Sequence, residues 1–223
     1  MRVNSRLRAL VKPVARPVVL AANTPIARRR ALRELETQPR PLKLEIGGNA
    51  PRAGWFVTNV GPFTKHYLDA TATWPLEDAS VSYIYSDNVI EHIPLEPART
   101  LFAEAYRCLQ PGGAIRFVTP DLRAHVDRYL SGKAPKGDPE AAVYEESGLT
   151  VEHPLDWVRI PIASFEHWMG YVYDYETLEA ELRRAGFTDV SRRELNESPH
   201  AELAGLDLRA AEGGAQMAVE AVR

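Results

Sequence analysis

Leu42-Lys43-Leu44-Glu45-Ile46-Gly47-Gly48-Asn49 is the stretch from which the fold reads outward. A short apolar run, Leu42–Ile46, feeds a double glycine and an asparagine, the pattern of a buried strand entering a turn. Residues 55–60 predict a second strand and 67–68 a brief third. The run 81–86 (V-S-Y-I-Y-S) is rich in β-branched and aromatic residues and predicts a fourth. A helix follows over 97–109, where Ala98, Leu101, Phe102, Ala105, Cys108 and Leu109 repeat at helical spacing and Pro111-Gly112-Gly113 stops the pattern. Residues 114–119 predict a fifth strand and Leu122–Leu130 a helix. Further on, Tyr175–Ala185 reads as a helix ended by Gly186, with 188–193 and Gln216–Val222 as closing strands. Strands alternating with helices imply a mostly parallel sheet with helices on both faces, which binds ligands beyond the carboxyl ends of its strands.

Two segments stand outside this rhythm. Residues 1–40 carry ten Lys/Arg against two acids, while the rest of the chain carries seventeen against twenty-eight. The arm also contains Pro13, Pro17, Pro25 and Pro39, so it is not expected to form one long helix. Such a basic extension is a solvated face, or a surface for peripheral contact with anionic lipid or an acidic partner. Residues 131–170 hold Gly, Pro, aromatic residues and two histidines without a sustained period, as expected of an inserted functional segment covering a pocket. The division expected is a basic arm over 1–40 and one domain over 41–223.

Composition narrows the function classes. A chain of 223 residues makes one domain, at ~100–200 residues per domain, with or without a decorated arm. A net charge of -3 argues against a protein built to grip nucleic acid. Cys108 is the sole cysteine, which rules out a disulfide framework, suits a reducing, cytoplasmic setting and, from a buried helical stripe, makes a poor nucleophile. Neither a G-x-G-x-x-G fingerprint nor a P-loop follows the first strand, which disfavours a nicotinamide-dependent oxidoreductase.

An ordered set of motifs follows the strand ends: Glu45-Ile46-Gly47-Gly48-Asn49, Leu68-Asp69-Ala70-Thr71, Ser86-Asp87-Asn88-Val89-Ile90-Glu91-His92-Ile93 and Leu109-Gln110-Pro111-Gly112-Gly113. Together they resemble the class I S-adenosylmethionine-dependent methyltransferases of the small-molecule type. The likeness spans about 42–130 and returns over 170–193. It implies a Rossmann-like, doubly wound α/β fold whose mostly parallel sheet has seven strands with an antiparallel C-terminal strand. It also implies S-adenosyl-L-methionine as cofactor. By position, Glu45, Gly47, Gly48 and Asn49 match the loop that holds the amino acid end of that cofactor. Asp69, followed by Ala70, matches the acid that accepts from the adenine amino group. Ser86, Asp87 and Asn88 match the lip beside the methyl group. Two departures stand out. Asn59 replaces the acid that binds the ribose hydroxyls, and the link from Gly47 to Trp55 is too short for a crossover helix, which must shrink to a turn.

Methyl transfer needs alignment, exclusion of water and, for a hydroxyl, a base. His92, four residues after Asn88, is one candidate, and His167 in the inserted segment is the other. Asp156, Trp157, Trp168, Tyr171 and Tyr173 are candidates for the lid lining, and His153 for a turn. Glu91 beside His92 does not predict a metal, because neighbours on a helix point to different sides. The absence of an N-P-P-Y-type string and of a basic groove favours a small-molecule, sugar or lipid-linked hydroxyl over nucleic acid as acceptor. The alternative is a catalytically degenerate binding or scaffold protein docked through its basic arm.

Overall fold

The computed structural model describes residues 5–133, 135–208 and 215–223. Its elements are α1 (Ser5–Leu35), β1 (Leu42–Ile46), β2 (Phe56–Thr58), β3 (Val81–Asp87), α2 (Leu95–Cys108), β4 (Leu109–Pro120), α3 (Leu122–Leu130), α4 (Pro139–Glu146), α5 (Asp156–Ala163), α6 (Tyr175–Ala185), β5 (Asp189–Arg193) and β6 (Gln216–Val222). The strands form a sheet in the order β2-β1-β3-β4-β6-β5, in which β6 alone runs against its neighbours. This is the expected Rossmann-like α/β sheet with its antiparallel C-terminal strand, but with six strands among the described residues rather than seven. The strand expected at 67–68 is reduced to a single bridge between Tyr67 and Asn59. Asp69 folds back onto Thr71 immediately afterwards, which leaves no extended residues for a ladder.

The core shows why these segments fold as they do. Ala98, Leu101, Phe102, Ala105 and Cys108 of α2 are fully buried, along with Leu178 and Leu182 of α6. Both helices pack on the sheet face that also buries Leu42, Leu44, Ile46, Ile84 and Phe117. The Asp121 carboxylate caps α3 by accepting from the amides of Arg123 and Ala124, and Asp174 caps α6 through Thr177. Gly186 ends α6 at φ +114°, a conformation that favours glycine. On the opposite face Tyr85, Val118 and Ala218 pack under Leu203 and Leu206 of the segment 194–208, which holds no α-helix.

The shortened β1–β2 link is borne out, since residues 47–55 contain no helix. Contrary to expectation, the arm forms one helix, α1, through Pro13, Pro17 and Pro25. The spacings of four and eight residues keep the three lost backbone hydrogen bonds within a third of the helix circumference, a pattern that bends a helix rather than ending it. Tertiary contacts hold its C-terminal half. Ala27, Ala31 and Leu35 are buried at four-residue intervals, the Asn23 amide donates to the Thr64 carbonyl at 2.9 Å, and Glu34 accepts from Lys65 and meets His66 at 2.8 and 2.9 Å. α1 thus covers the 64–75 region, where no crossover helix exists. No described helix is long and apolar enough to cross a membrane.

The segment 131–170, expected to be irregular, contains α4, α5 and the 3-10 turn His167–Met169. Eight-residue helices are too short to announce themselves by periodicity, and Pro161 sits inside α5. Ala141, Tyr144, Val151, Trp157 and Ile160 form a small core of their own. Arg128 of α3 lies over the Trp157 ring at 4.8 Å and so ties that core to the sheet domain.

Candidate functional site

β1 pairs with β2 on one side and β3 on the other, with Ile46 in register with both Thr58 and Ser86. The chain therefore departs in opposite directions from β1, and a crevice opens above its carboxyl end. Gly47 leaves the strand at φ +82°, and a Cβ there would lie 2.2 Å from Val89 Cγ2. A Cβ on Gly48 would meet the Glu45 carboxylate at 2.6 Å. These two glycines bring bare backbone to the crevice, which is the use the sequence predicts for them.

Asn59 fastens this loop from the end of β2. Its Nδ2 donates to the carbonyl oxygens of Gly47 and Gly48 at 2.9 and 3.2 Å and to Asn49 Oδ1 at 3.1 Å. Its Oδ1 accepts from the amides of Val60 and Gly61 at 2.7 and 3.0 Å. An acid in this position could not donate, so the asparagine shapes the loop from beneath. Asp69 Oδ1 accepts from the Thr71 amide and hydroxyl at 2.9 and 2.7 Å, which fixes its carboxylate at the edge of the crevice.

Three clefts meet here. One of about 420 Å³ is bounded by Gly47, Asn59, Asp69, Ala70, Val89 and His92. A second, of about 590 Å³, lies between Glu45, Gly48, Asn49, Arg52, Asp87 and Leu208. A third, of about 400 Å³, is enclosed by His92, Pro120, Tyr144, Phe165, His167 and Gln216. Asn88 belongs to the wall of all three. It stands at φ +50° just beyond β3, and its buried Oδ1 has no hydrogen-bond partner. A left-handed asparagine with an unsatisfied buried acceptor is a costly feature that a ligand donor would relieve. Ser86 is different. It is buried within the sheet and absent from the walls of these clefts.

Arg52 is the residue sequence reading missed. Its Nε donates to Glu45 Oε2 at 2.6 Å, and its guanidinium lies over the Tyr85 ring at 5.3 Å. Tyr85 donates in turn to Asp87 Oδ2 at 2.8 Å. A paired acid and base in one cleft complement the two ends of an amino acid zwitterion. The double-glycine turn hid Arg52, because in sequence it reads as an ordinary loop residue.

The third cleft unites the two histidines. His92 ends the 3-10 turn Ile90–His92, and its ring centroid lies 4.6 Å from that of His167, edge to face. His167 Nδ1 donates to the Pro161 carbonyl at 2.7 Å, which directs Nε2 away from α5 as the nitrogen without a proton in the neutral ring. Burial of His167 and partial desolvation of the more exposed His92 hold both imidazoles below their usual pKa. The neighbouring His167 lowers His92 further, while Glu166 opposes the shift. The spacing argument against Glu91 is corrected. Because the turn is 3-10 and the lid folds onto it, Glu91, His92 and His167 each place a ligand atom within 4.8 Å of the other two.

Of the other lid candidates, Tyr173 is fully buried against Phe102, Trp157 lies in the lid core and Trp168 is exposed. Asp156 accepts from the amides of Glu152 and His153, both at 2.8 Å, and so organises the turn that contains His153. Cys108 is fully buried, and desolvation pushes its thiol up to about 11, in keeping with an inert core position.

Residues 53–117 match the family model described as a methyltransferase domain, so the methyltransferase resemblance read from the motifs is borne out over that segment. No curated protein matches the chain. Among solved structures, phosphoethanolamine N-methyltransferase 2 of Haemonchus contortus, bound to phosphomonomethylethanolamine and S-adenosylhomocysteine, is 17% identical with a TM-score of 0.44. That match covers 87% of this chain, which spans only 52% of the Haemonchus contortus protein. Human N-acetylserotonin methyltransferase in complex with SAM is 16% identical with a TM-score of 0.46, over 87% of this chain and 51% of the human one. A SAM-dependent methyltransferase from Archaeoglobus fulgidus is 14% identical with a TM-score of 0.46, over 90% of this chain and 94% of its own.

Proposed function

We propose that this chain transfers a methyl group from S-adenosyl-L-methionine to a hydroxyl of a small molecule, sugar or lipid-linked acceptor. The observation that carries the reading is the position of Asn88 at the junction of three clefts whose linings differ in chemistry. The cleft with Asp69 and Ala70 suits a nucleoside, the Glu45–Arg52 cleft an amino acid zwitterion, and the histidine-lined cleft an acceptor.

The bound cofactor would supply an electrophilic methyl on a sulfonium, and this chain's residues do the rest. Asp69 would accept from the adenine amino group, with a carboxylate already oriented by Thr71. Arg52 and Glu45 would hold the carboxylate and ammonium of the amino acid end, while the Gly47–Gly48 backbone keeps the approach open. Asn59 acts as a positioning residue that fixes the glycine loop. In the acceptor cleft, His167 Nε2 or His92 receives the hydroxyl proton, and Tyr144 and Phe165 limit water.

Calorimetry with S-adenosylhomocysteine tests the reading. Millimolar ligand without binding heat would sink it. Asp69→Asn keeps an acceptor oxygen for Thr71 but loses the charge, and should weaken binding by roughly ten- to a hundredfold, the worth of one charge-assisted hydrogen bond. A scaffold protein would be indifferent to that change.

The histidines make a second prediction. Their depressed pKa values leave both imidazoles neutral at pH 7 and able to accept a proton, a capacity lost only on acidification beyond the ordinary value of about 6.5. The same sign holds for stability, since protonating either ring disfavours the folded form and the loss appears as pH falls through the folded value. NMR titration of the imidazole protons should give midpoints for both rings below the ordinary value of about 6.5. Midpoints at or above that value would contradict the assignment.

A further inference from the structure

We propose that Glu91, His92 and His167 bind a divalent transition-metal cation of the zinc or cobalt type at the acceptor end of the site. The inference rests on the preceding reading only for the identity of the neighbouring clefts. The three side chains offer one carboxylate oxygen and two imidazole nitrogens, all within 4.8 Å of one another. Around one ion with bonds of about 2.1 Å, donors sit roughly 3.0–3.4 Å apart, so each has to move in by about an ångström or less. His92 is solvent-exposed and free to make that adjustment.

Three features beyond proximity support a metal. His167 already donates Nδ1–H to a backbone carbonyl, the outer contact that metal-bound histidines commonly carry to orient the other nitrogen. Glu91 is fully buried, with Oε2 accepting from the Thr119 hydroxyl at 3.2 Å, which steadies its carboxylate from behind. His92 and His167 also face a cavity of about 400 Å³, which leaves coordination positions for water or an acceptor oxygen. Two imidazoles and one carboxylate suit a borderline cation, whereas magnesium and calcium favour all-oxygen sites. An acceptor hydroxyl coordinated there would release its proton to solvent water more readily, so the metal would take over the activation that either histidine supplies in its absence.

Cobalt(II) added to the full-length chain provides a readout independent of activity. The expected result is a visible d–d absorption that saturates at one equivalent, withstands excess magnesium and is displaced by zinc. His92→Ala removes an exposed ligand with little risk to folding and should weaken cobalt binding by at least about tenfold, as should His167→Gln. No cobalt spectrum in a protein that still binds S-adenosylhomocysteine overturns the metal site and leaves the methyltransferase reading intact. A saturable spectrum without S-adenosylhomocysteine binding does the reverse. Unchanged cobalt affinity in both variants also overturns the assignment.

Discussion

Arg116→Met is expected to lower the free energy of unfolding by about 3–5 kcal/mol, the cost of stranding buried carboxylates. Arg116 lies in the middle of β4 and is fully buried. It forks onto Asp207, with Nε 2.9 Å from Oδ1 and Nη2 on Oδ2, while Nη1 donates to Glu220 Oε1 at 2.8 Å. Its remaining donors reach the carbonyls of Glu197 and Glu194 at 3.0 and 3.1 Å. Without the guanidinium, Asp207 keeps only the Asn196 amide and Glu220 only Arg193 at 3.3 Å among these contacts. The consequence reaches the site. The Tyr85 hydroxyl shares its proton between Asp87 and the Leu206 carbonyl, 2.9 Å away, and the Leu208 amide donates to Asp87 at 3.0 Å, so loosening 194–208 opens one wall of the Glu45–Arg52 cleft. Urea unfolding at fixed pH measures the loss. Arg116→Lys, which keeps the charge but not the fork, should fall between wild type and Arg116→Met. Replacing Arg116, Asp207 and Glu220 together by apolar residues should recover much of the stability. A loss below about 1 kcal/mol for Arg116→Met would mean that the carboxylates find other compensation.

None of that triad was legible beforehand, and the reason is physical. In A-I-R-F-V-T the arginine looks like an outward residue of an alternating strand, and its partners come from 91 and 104 residues away. What was legible depended on local pattern. β1, α3, α6 and β6 fall on their predicted bounds, because apolar spacing and capping residues act within one turn or one strand. α1 defeated the proline rule because its stability comes from the 64–68 region rather than from its own sequence. The candidate site divides in the same way. Gly47, Gly48 and Asn88 follow strand ends and Asp69 follows the Tyr67–Asn59 bridge, so their places around the crevice could be read by position. The approach of His92 to His167, separated by 75 positions, depends on how the lid folds, and no spacing rule reaches that far.

That approach is held by a glycine, and Gly170→Ala is expected to break it. Gly170 follows the 3-10 turn that carries His167, and its backbone is extended at φ -104°, so alanine meets no conformational penalty there. The obstacle is contact. A Cβ would lie 2.0 Å from the Glu91 carbonyl oxygen, 2.6 Å from the His92 carbonyl carbon and 2.7 Å from that of Glu91. All three are backbone atoms, so no rotamer change relieves the overlap, in contrast to Gly47, where the obstacle is a Val89 side chain. The lid must therefore lift from the turn Ile90–His92, which separates His167 from both Glu91 and His92. Overpacking of this kind costs roughly 1–3 kcal/mol, which the fold should survive. Cobalt affinity should drop at least about tenfold, because a ligand set spread over two chain segments loses its shared geometry. S-adenosylhomocysteine binding should change by less than about threefold, since Asp69, Arg52 and the Gly47–Gly48 loop belong to other segments. Cobalt titration beside calorimetry on one preparation separates these effects. Wild-type cobalt affinity in Gly170→Ala would mean that lid contact does not assemble the cluster, whereas equal loss of both ligands would mean that the two clefts open as one.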